Sequence, residues 1–203
     1  MKRSFYCTIF VLLIQNQLFS QSLSYKVNAG LNITNFKYSI TDNGSSFSYY
    51  NDNRTSYFIG FGVEKPVDIF NFYNFLLNAE LQYSQQGNTF YSPHIGRQSN
   101  VNNQLNLLLS LKAEVIKNIC LGLGGYAGFL VYVDEYYRED EETHKNFDLG
   151  LIGSVEYKFL KKFSIEAKYL YGLSDILNRE FDNETITHDK VNRVIQIGLN
   201  YRF

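Results

Sequence analysis

Cysteine is nearly missing from this chain. It occurs twice in 203 residues, and Cys7 sits in a leading segment expected to be removed. Only Cys120 would remain, which excludes a disulfide-stapled scaffold. Proline is equally scarce, at two residues, and tryptophan is absent. Acids and bases nearly cancel, at 20 against 19, so no strong pull toward nucleic acid is expected. No stretch after the leading segment sustains a 3.6-residue period, which argues against helices. Tyrosine and phenylalanine are plentiful, at 17 each. Many aromatics with little proline suit β-strands.

Residues 1–22 read as a secretory signal. Lys2 and Arg3 form a basic start, residues 5–14 an apolar core, and Ser20-Gln21-Ser22 a small-residue cleavage site. Cleavage after Ser20 or after Ser22 fits equally. The apolar core falls short of the about 20 residues a spanning helix needs. Cys7 precedes this core, so it is not a lipid-attachment cysteine. The rest, residues 23–203, is read as one domain.

Period 2 runs through that domain. Eight runs alternate, at 24–36, 55–65, 75–87, 103–116, 119–133, 147–160, 163–173 and 192–203. Most exceed the about 5–6 residues of an ordinary strand and reach the about 9–11 that cross a bilayer. Lys117-Asn118 and Lys161-Lys162 are tight links, and residues 66–74 a somewhat longer one. The stretches 37–54, 88–102, 134–146 and 174–191 are long and polar. Short and long links alternate, so an up-and-down meander would gather all long ones at one end. The expected fold is all-β: an eight-stranded antiparallel up-and-down transmembrane barrel with short periplasmic turns and long external loops.

Sorting each run by parity gives an oily face and a polar one. Leu107, Leu109 and Ile197 typify the first. The second carries Lys26, Glu64, Glu80, Lys112, Glu114, Glu156, Lys158, Glu166, Lys168 and Arg202, five acids and five bases. A soluble lipocalin-like carrier would turn the oily face inward, and a membrane barrel outward. Nine glycines share the polar face, where they make room for long charged side chains in a narrow lumen; in water-facing strands they would only weaken pairing. An interior polar network is therefore expected, forming a plug rather than a pore, with Leu76, Leu108, Leu130, Ile152 and Leu170 also pointing inward. Aromatics cluster toward both strand ends, as interfacial girdles do.

The chain ends "NRVIQIGLNYRF", an alternating strand closing on Phe203. With "YKVNAGLNITNF", "LNAELQYSQQG" and "KYLYGLSDI", this resembles the PorT-like outer-membrane β-barrel family of Bacteroidetes. "LNLLLSLKAEV" departs from the pattern, since the family often has proline in the fourth strand. The resemblance implies a Gram-negative outer-membrane location and a terminal aromatic, Phe203, read as a sorting signal by the barrel-assembly machinery. It also implies that some relatives support protein secretion.

Chemistry is sparse. His94, His144 and His188 fall in three different polar stretches, and His188-Asp189 with Asp182 could be cast as a base pair, but no held geometry is legible. No catalysis and no cofactor are expected. The run containing Asp140, Glu142 and His144 suits a hard divalent cation. Its spacing matches no defined cation loop, and a solvated loop explains it as well. The expected role is a monomeric structural or surface-binding protein. Its partners would be outer-membrane lipid and an unknown extracellular ligand, not nucleic acid. A narrow, porin-like solute passage is the alternative.

Overall fold

The computed structural model describes residues 23–42, 45–50, 52–68, 75–92, 96–134, 143–144, 146–178 and 186–203. The expected signal, residues 1–22, lies outside them. Eleven strands are found among the described residues: β1 (Ser24–Asp42), β2 (Ser45–Tyr50), β3 (Arg54–Val67), β4 (Phe75–Ser92), β5 (Gly96–Ile116), β6 (Ile119–Asp134), β7 (Thr143–His144), β8 (Phe147–Lys158), β9 (Phe163–Gly172), β10 (Leu177–Asn178) and β11 (Ile186–Arg202). Eight of them, β1, β3, β4, β5, β6, β8, β9 and β11, pair antiparallel in chain order, and β11 returns to β1. The ring is closed, which removes the free edges a flat sheet would expose.

Local chemistry sets the turns. Lys117-Asn118 links β5 to β6, with Asn118 at φ 69°, a conformation asparagine tolerates. The Asn118 amide donates to Glu114 Oε1 at 3.0 Å. Leu160 and Phe163 exchange backbone hydrogen bonds of 3.2 and 3.3 Å across Lys161-Lys162. At the seam, Lys26 faces Arg202 and the Phe203 amide donates to Tyr25 O at 3.0 Å.

The strands are staggered. Stepping from partner to partner leads from Tyr25 to Val63, Ala79, Leu109, Gly125, Leu151, Tyr171 and Arg193, and back to β1 at Asn35. That return lies ten residues above its start. On eight strands such a stagger tilts each by about 40° and gives roughly 2.5 Å of height per residue. The outward apolar series on β1 begins at Tyr25 and stops before Asn35; on β11 it stops before Arg193. The band is thus about 20–25 Å tall, close to the height of a hydrocarbon belt.

Orientation is decided by exposure. Leu107, Leu109 and Ile197 are 46%, 52% and 47% exposed, whereas Lys112, Glu80 and Lys168 are 1%, 1% and 5% exposed. A lipocalin-like carrier, with its oily face inward, is overturned by this arrangement. Aromatic rings meet along the lower rim, Phe163 and Tyr201 tilted with centroids 4.9 Å apart and Tyr201 and Phe203 edge to face at 5.2 Å. Near the other rim lie Tyr57–Tyr83 at 6.2 Å and Phe129–Phe147 at 5.1 Å.

The long polar stretches hold more strand than the sequence suggests. Residues 88–102, expected as a loop, are mostly β4 and β5, paired up to Ser92 and Gly96. Residues 37–42 continue β1, paired with β2 on one side and with 186–191 of β11 on the other. Above the apolar band no hydrocarbon bathes the outward face. The oily alternation therefore stops, while backbone pairing continues.

Candidate functional site

The barrel interior holds three layers. The lowest is a charge-neutral network of four cations and four carboxylates, contributed by seven of the eight staves. Lys112 (β5) lies 2.7 Å from Glu156 Oε2 (β8) and 2.8 Å from Glu166 Oε1 (β9). Lys168 (β9) donates to both oxygens of Glu80 (β4), at 2.7 and 2.9 Å. Lys26 (β1) sits among Glu80, Glu64 and Glu166 at 3.3, 3.4 and 3.8 Å. Arg202 (β11) reaches Glu64 Oε2 (β3) at 2.7 Å and also pairs with Glu156. Ser164 donates to Glu156 Oε1 at 2.5 Å, and Asn200 to Glu166 Oε2 at 3.0 Å. Buried charges survive only when paired and hydrogen-bonded in this way.

Glycine makes the space. β6 gives no charge to this layer; it gives Gly122, where an added Cβ would overlap Ser154 Oγ and stand 3.1 Å from Lys112 Cγ. Gly62 leaves room for Lys26, whose Cε would lie 2.8 Å from a Cβ there. Gly122→Val is expected to cost about 1–3 kcal/mol through overpacking, read as a lower urea midpoint in detergent. Gly153→Leu, on the outward face where a Cβ meets nothing within 4 Å, is expected to cost nothing comparable.

A septum of apolar side chains lies above the charges: Leu108, Tyr126, Ile152, Leu170 and Val194 form one buried cluster, with Phe58 buried as well. Gln196 bridges this level by donating to Asn32 Oδ1 at 3.0 Å and Gln82 Oε1 at 2.9 Å. The top layer centres on Asp148, which is buried. Its carboxylate accepts from Tyr126 at 2.9 Å, Asn192 at 2.6 Å and Ser174 at 2.9 Å.

The mouth is partly closed by β4. Its ladder with β3 ends at Phe58 and Ser84, and beyond it Gln86, Gly87, Asn88 and Thr89 are all buried. Side chains stitch the gap. Asn32 donates to Tyr57 O at 2.9 Å and Gln85 O at 2.7 Å, and Thr34 donates to Gly87 O at 2.6 Å. Arg54 donates to Gln86 O at 3.2 Å. Gly87 adopts φ 138°, which side chains rarely tolerate. Asp52 and Thr89 exchange backbone bonds at 2.9 and 3.0 Å.

Of the ten expected network residues, eight meet: Lys26, Glu64, Glu80, Lys112, Glu156, Glu166, Lys168 and Arg202. Glu114 and Lys158 do not join them. They pair with each other at 3.5 Å on the lower rim, partly exposed. Leu108, Ile152 and Leu170 are buried inside, and Leu76 and Leu130 are half-buried. The cation candidates Asp140 and Glu142, with His94 and Asp182, lie outside the described residues, as do the side chains of His144, His188 and Asp189. Among the described residues no group of three or more His, Cys, Asp or Glu is placed to hold a metal ion. The Asp148 cluster was not singled out from the sequence. Its signal was there: Tyr126 shares inward parity with Gly122, Gly124 and Gly128, and Asp148 with Gly150 and Ile152.

A closed cylinder with a hydrocarbon-facing belt and a hydrogen-bonded polar interior is a transmembrane β-barrel. The chain belongs to the outer membrane protein beta-barrel domain family, whose model matches residues 17–178, and is thus an outer-membrane protein. It is similar in structure to Neisserial surface protein A, at 12% identity over 90% of this chain and 100% of that one, with a TM-score of 0.49. It is also similar to OprG of Pseudomonas aeruginosa, at 15% identity over 90% and 97%, with a TM-score of 0.46. A third likeness is to outer membrane protein W of E. coli, at 13% identity over 91% and 100%, with a TM-score of 0.40. No curated protein matches the chain.

Proposed function

We propose that this protein is a sealed, non-catalytic barrel that anchors a surface-binding structure outside the outer membrane. The observation that carries this reading is the filled interior. Neutral ion pairs occupy the lower lumen, an apolar septum the middle, and β4 leans across the top. Eight strands leave just enough room for side chains to fill the bore. The ribbons that rise above the belt, β1–β2–β11 and β4–β5, would carry the contact surface for an extracellular ligand. The barrel would work as a monomer, delivered after signal cleavage by the assembly machinery reading Phe203.

The motifs ending in "NRVIQIGLNYRF" support a PorT-like member of the Bacteroidetes type, and with it a contribution to protein secretion. Planar-bilayer recording of the refolded barrel tests the sealed reading: no stable unitary currents are expected, and large ones would overturn it. Pull-down with the intact barrel on cells would then identify what the ribbons touch.

One observation favours a narrow solute passage instead. Asn102, Gln104 and Asn106 are buried in the upper lumen, with side-chain atoms that have no protein partner; such amides suit water. A passage would still have to cross the septum around Leu108 and Leu170, so the sealed reading is preferred.

A further inference from the structure

The outward face carries an amphipathic feature that the sealed interior does not explain. At the upper edge of the belt, level with Asn35 of β1, Arg193 carries a positive charge on the outward face. Its guanidinium carbon lies 3.7 Å from the Tyr171 ring centroid. Its Nη1 donates to Gly172 O at 2.9 Å and Asn192 O at 2.7 Å, which fixes the group against the wall at the depth where headgroups begin.

A groove of about 600 Å³ lies directly below, lined by Leu123, Gly153, Val155, Ala167, Tyr169 and Ile195. The register gives the alignment. Arg193 faces Tyr171, and Tyr169, two residues down β9, faces Ile195 on one side and Gly153 on the other. The groove exists because Gly153 and Ala167 are small where their partners on the neighbouring staves are Leu123, Tyr169, Val155 and Ile197. A second outward groove, of about 530 Å³ around Ala29, Ile59 and Leu81, has Thr55, Gln85 and Asn103 above it, and the nearby Arg54 donates to Gln85 Oε1 at 2.9 Å and Gln86 O at 3.2 Å.

We propose that the Gly153–Ala167 groove seats an acyl chain of a phosphorylated lipid of the outer leaflet, with Arg193 holding the phosphate. A planar guanidinium is suited to phosphate oxygens. A cation at the belt edge over an apolar slot matches a lipid carrying its charge at the headgroup and its chains below. A zwitterionic phospholipid would bring its own ammonium beside Arg193, so the occupant is a phosphorylated glycolipid of the lipid A class, whose headgroup charge is anionic only.

Native mass spectrometry of the refolded full chain in detergent, titrated with bis-phosphorylated lipid A or its dephosphorylated form, tests this. The wild type should retain the phosphorylated form at least tenfold better. Arg193→Gln should erase that preference while keeping residual binding of both. Gly153→Leu, which fills an open position, should weaken both. Heat-modifiable gel migration verifies that each variant is folded; should Arg193→Gln misfold, Arg193→Lys and Gly153→Leu still decide. Equal retention of the two lipids by the wild type would overturn the proposal. So would an intact preference in folded Arg193→Gln, or displacement by millimolar inorganic phosphate, which would mark a site for soluble anions.

Discussion

Lys112→Met is expected to lower the unfolding free energy of the refolded barrel by about 3–5 kcal/mol, the cost of stranding a buried carboxylate. Lys112 is the cation close to Glu166 Oε1 and also contacts Glu156 and Glu64. Methionine keeps the length of the stem but leaves the layer one negative charge in excess. The double variant Lys112→Met/Glu166→Gln restores neutrality and should recover part of the loss. Urea titration in detergent, followed by heat-modifiable gel migration, reads both. A midpoint for Lys112→Met unchanged from wild type would mean that the charges are solvated rather than paired, and the plug would fall with it.

Leu109→Arg should cost about 2–4 kcal/mol, the penalty for a guanidinium at mid-belt on the lipid side. Leu109 is 52% exposed, so in a protein bathed by water the same change would be nearly silent. Tyr91→Arg serves as the control. Tyr91 lies above the belt, on the β4–β5 hairpin, and is more exposed still, so arginine there should shift stability by no more than about 0.5 kcal/mol. Equal, small effects at both positions would contradict a hydrocarbon environment for Leu109.

The parts of the fold legible in the sequence are those where hydrocarbon imposes a rule. Along 103–116 every second residue must be apolar, so Leu105, Leu107, Leu109 and Leu111 announce both strand and orientation. Along 88–102 no such rule acts. Asn88, Asn100 and Asn102 can sit in a paired ribbon as readily as in a loop, and only the backbone register distinguishes the two. The interior charges were legible one by one, because parity assigns the face. Their partners were not, because contacts across a lumen depend on stagger, which residue spacing along one strand does not encode. Glu114 and Lys158 show the limit: both have inward parity, yet they lie so near the strand ends that the rim, not the lumen, receives them. Asp148 was hidden for the opposite reason. It stands second in the run 147–160, next to the polar stretch 134–146, and nothing in that spacing shows that β6 brings Tyr126 within reach.

The stagger of the ladder also has a mechanical meaning. Because partners climb around the wall, ion pairs such as those of Lys168 and Lys112 cross the lumen; Lys168 of β9 grips Glu80 of β4, and Lys112 of β5 grips Glu166 of β9. These contacts are spokes rather than hoops. A hollow tube of this gauge would flatten under the lateral pressure of the surrounding lipid, whereas a spoked one keeps its cross-section round and holds the ribbons above it at a constant spacing.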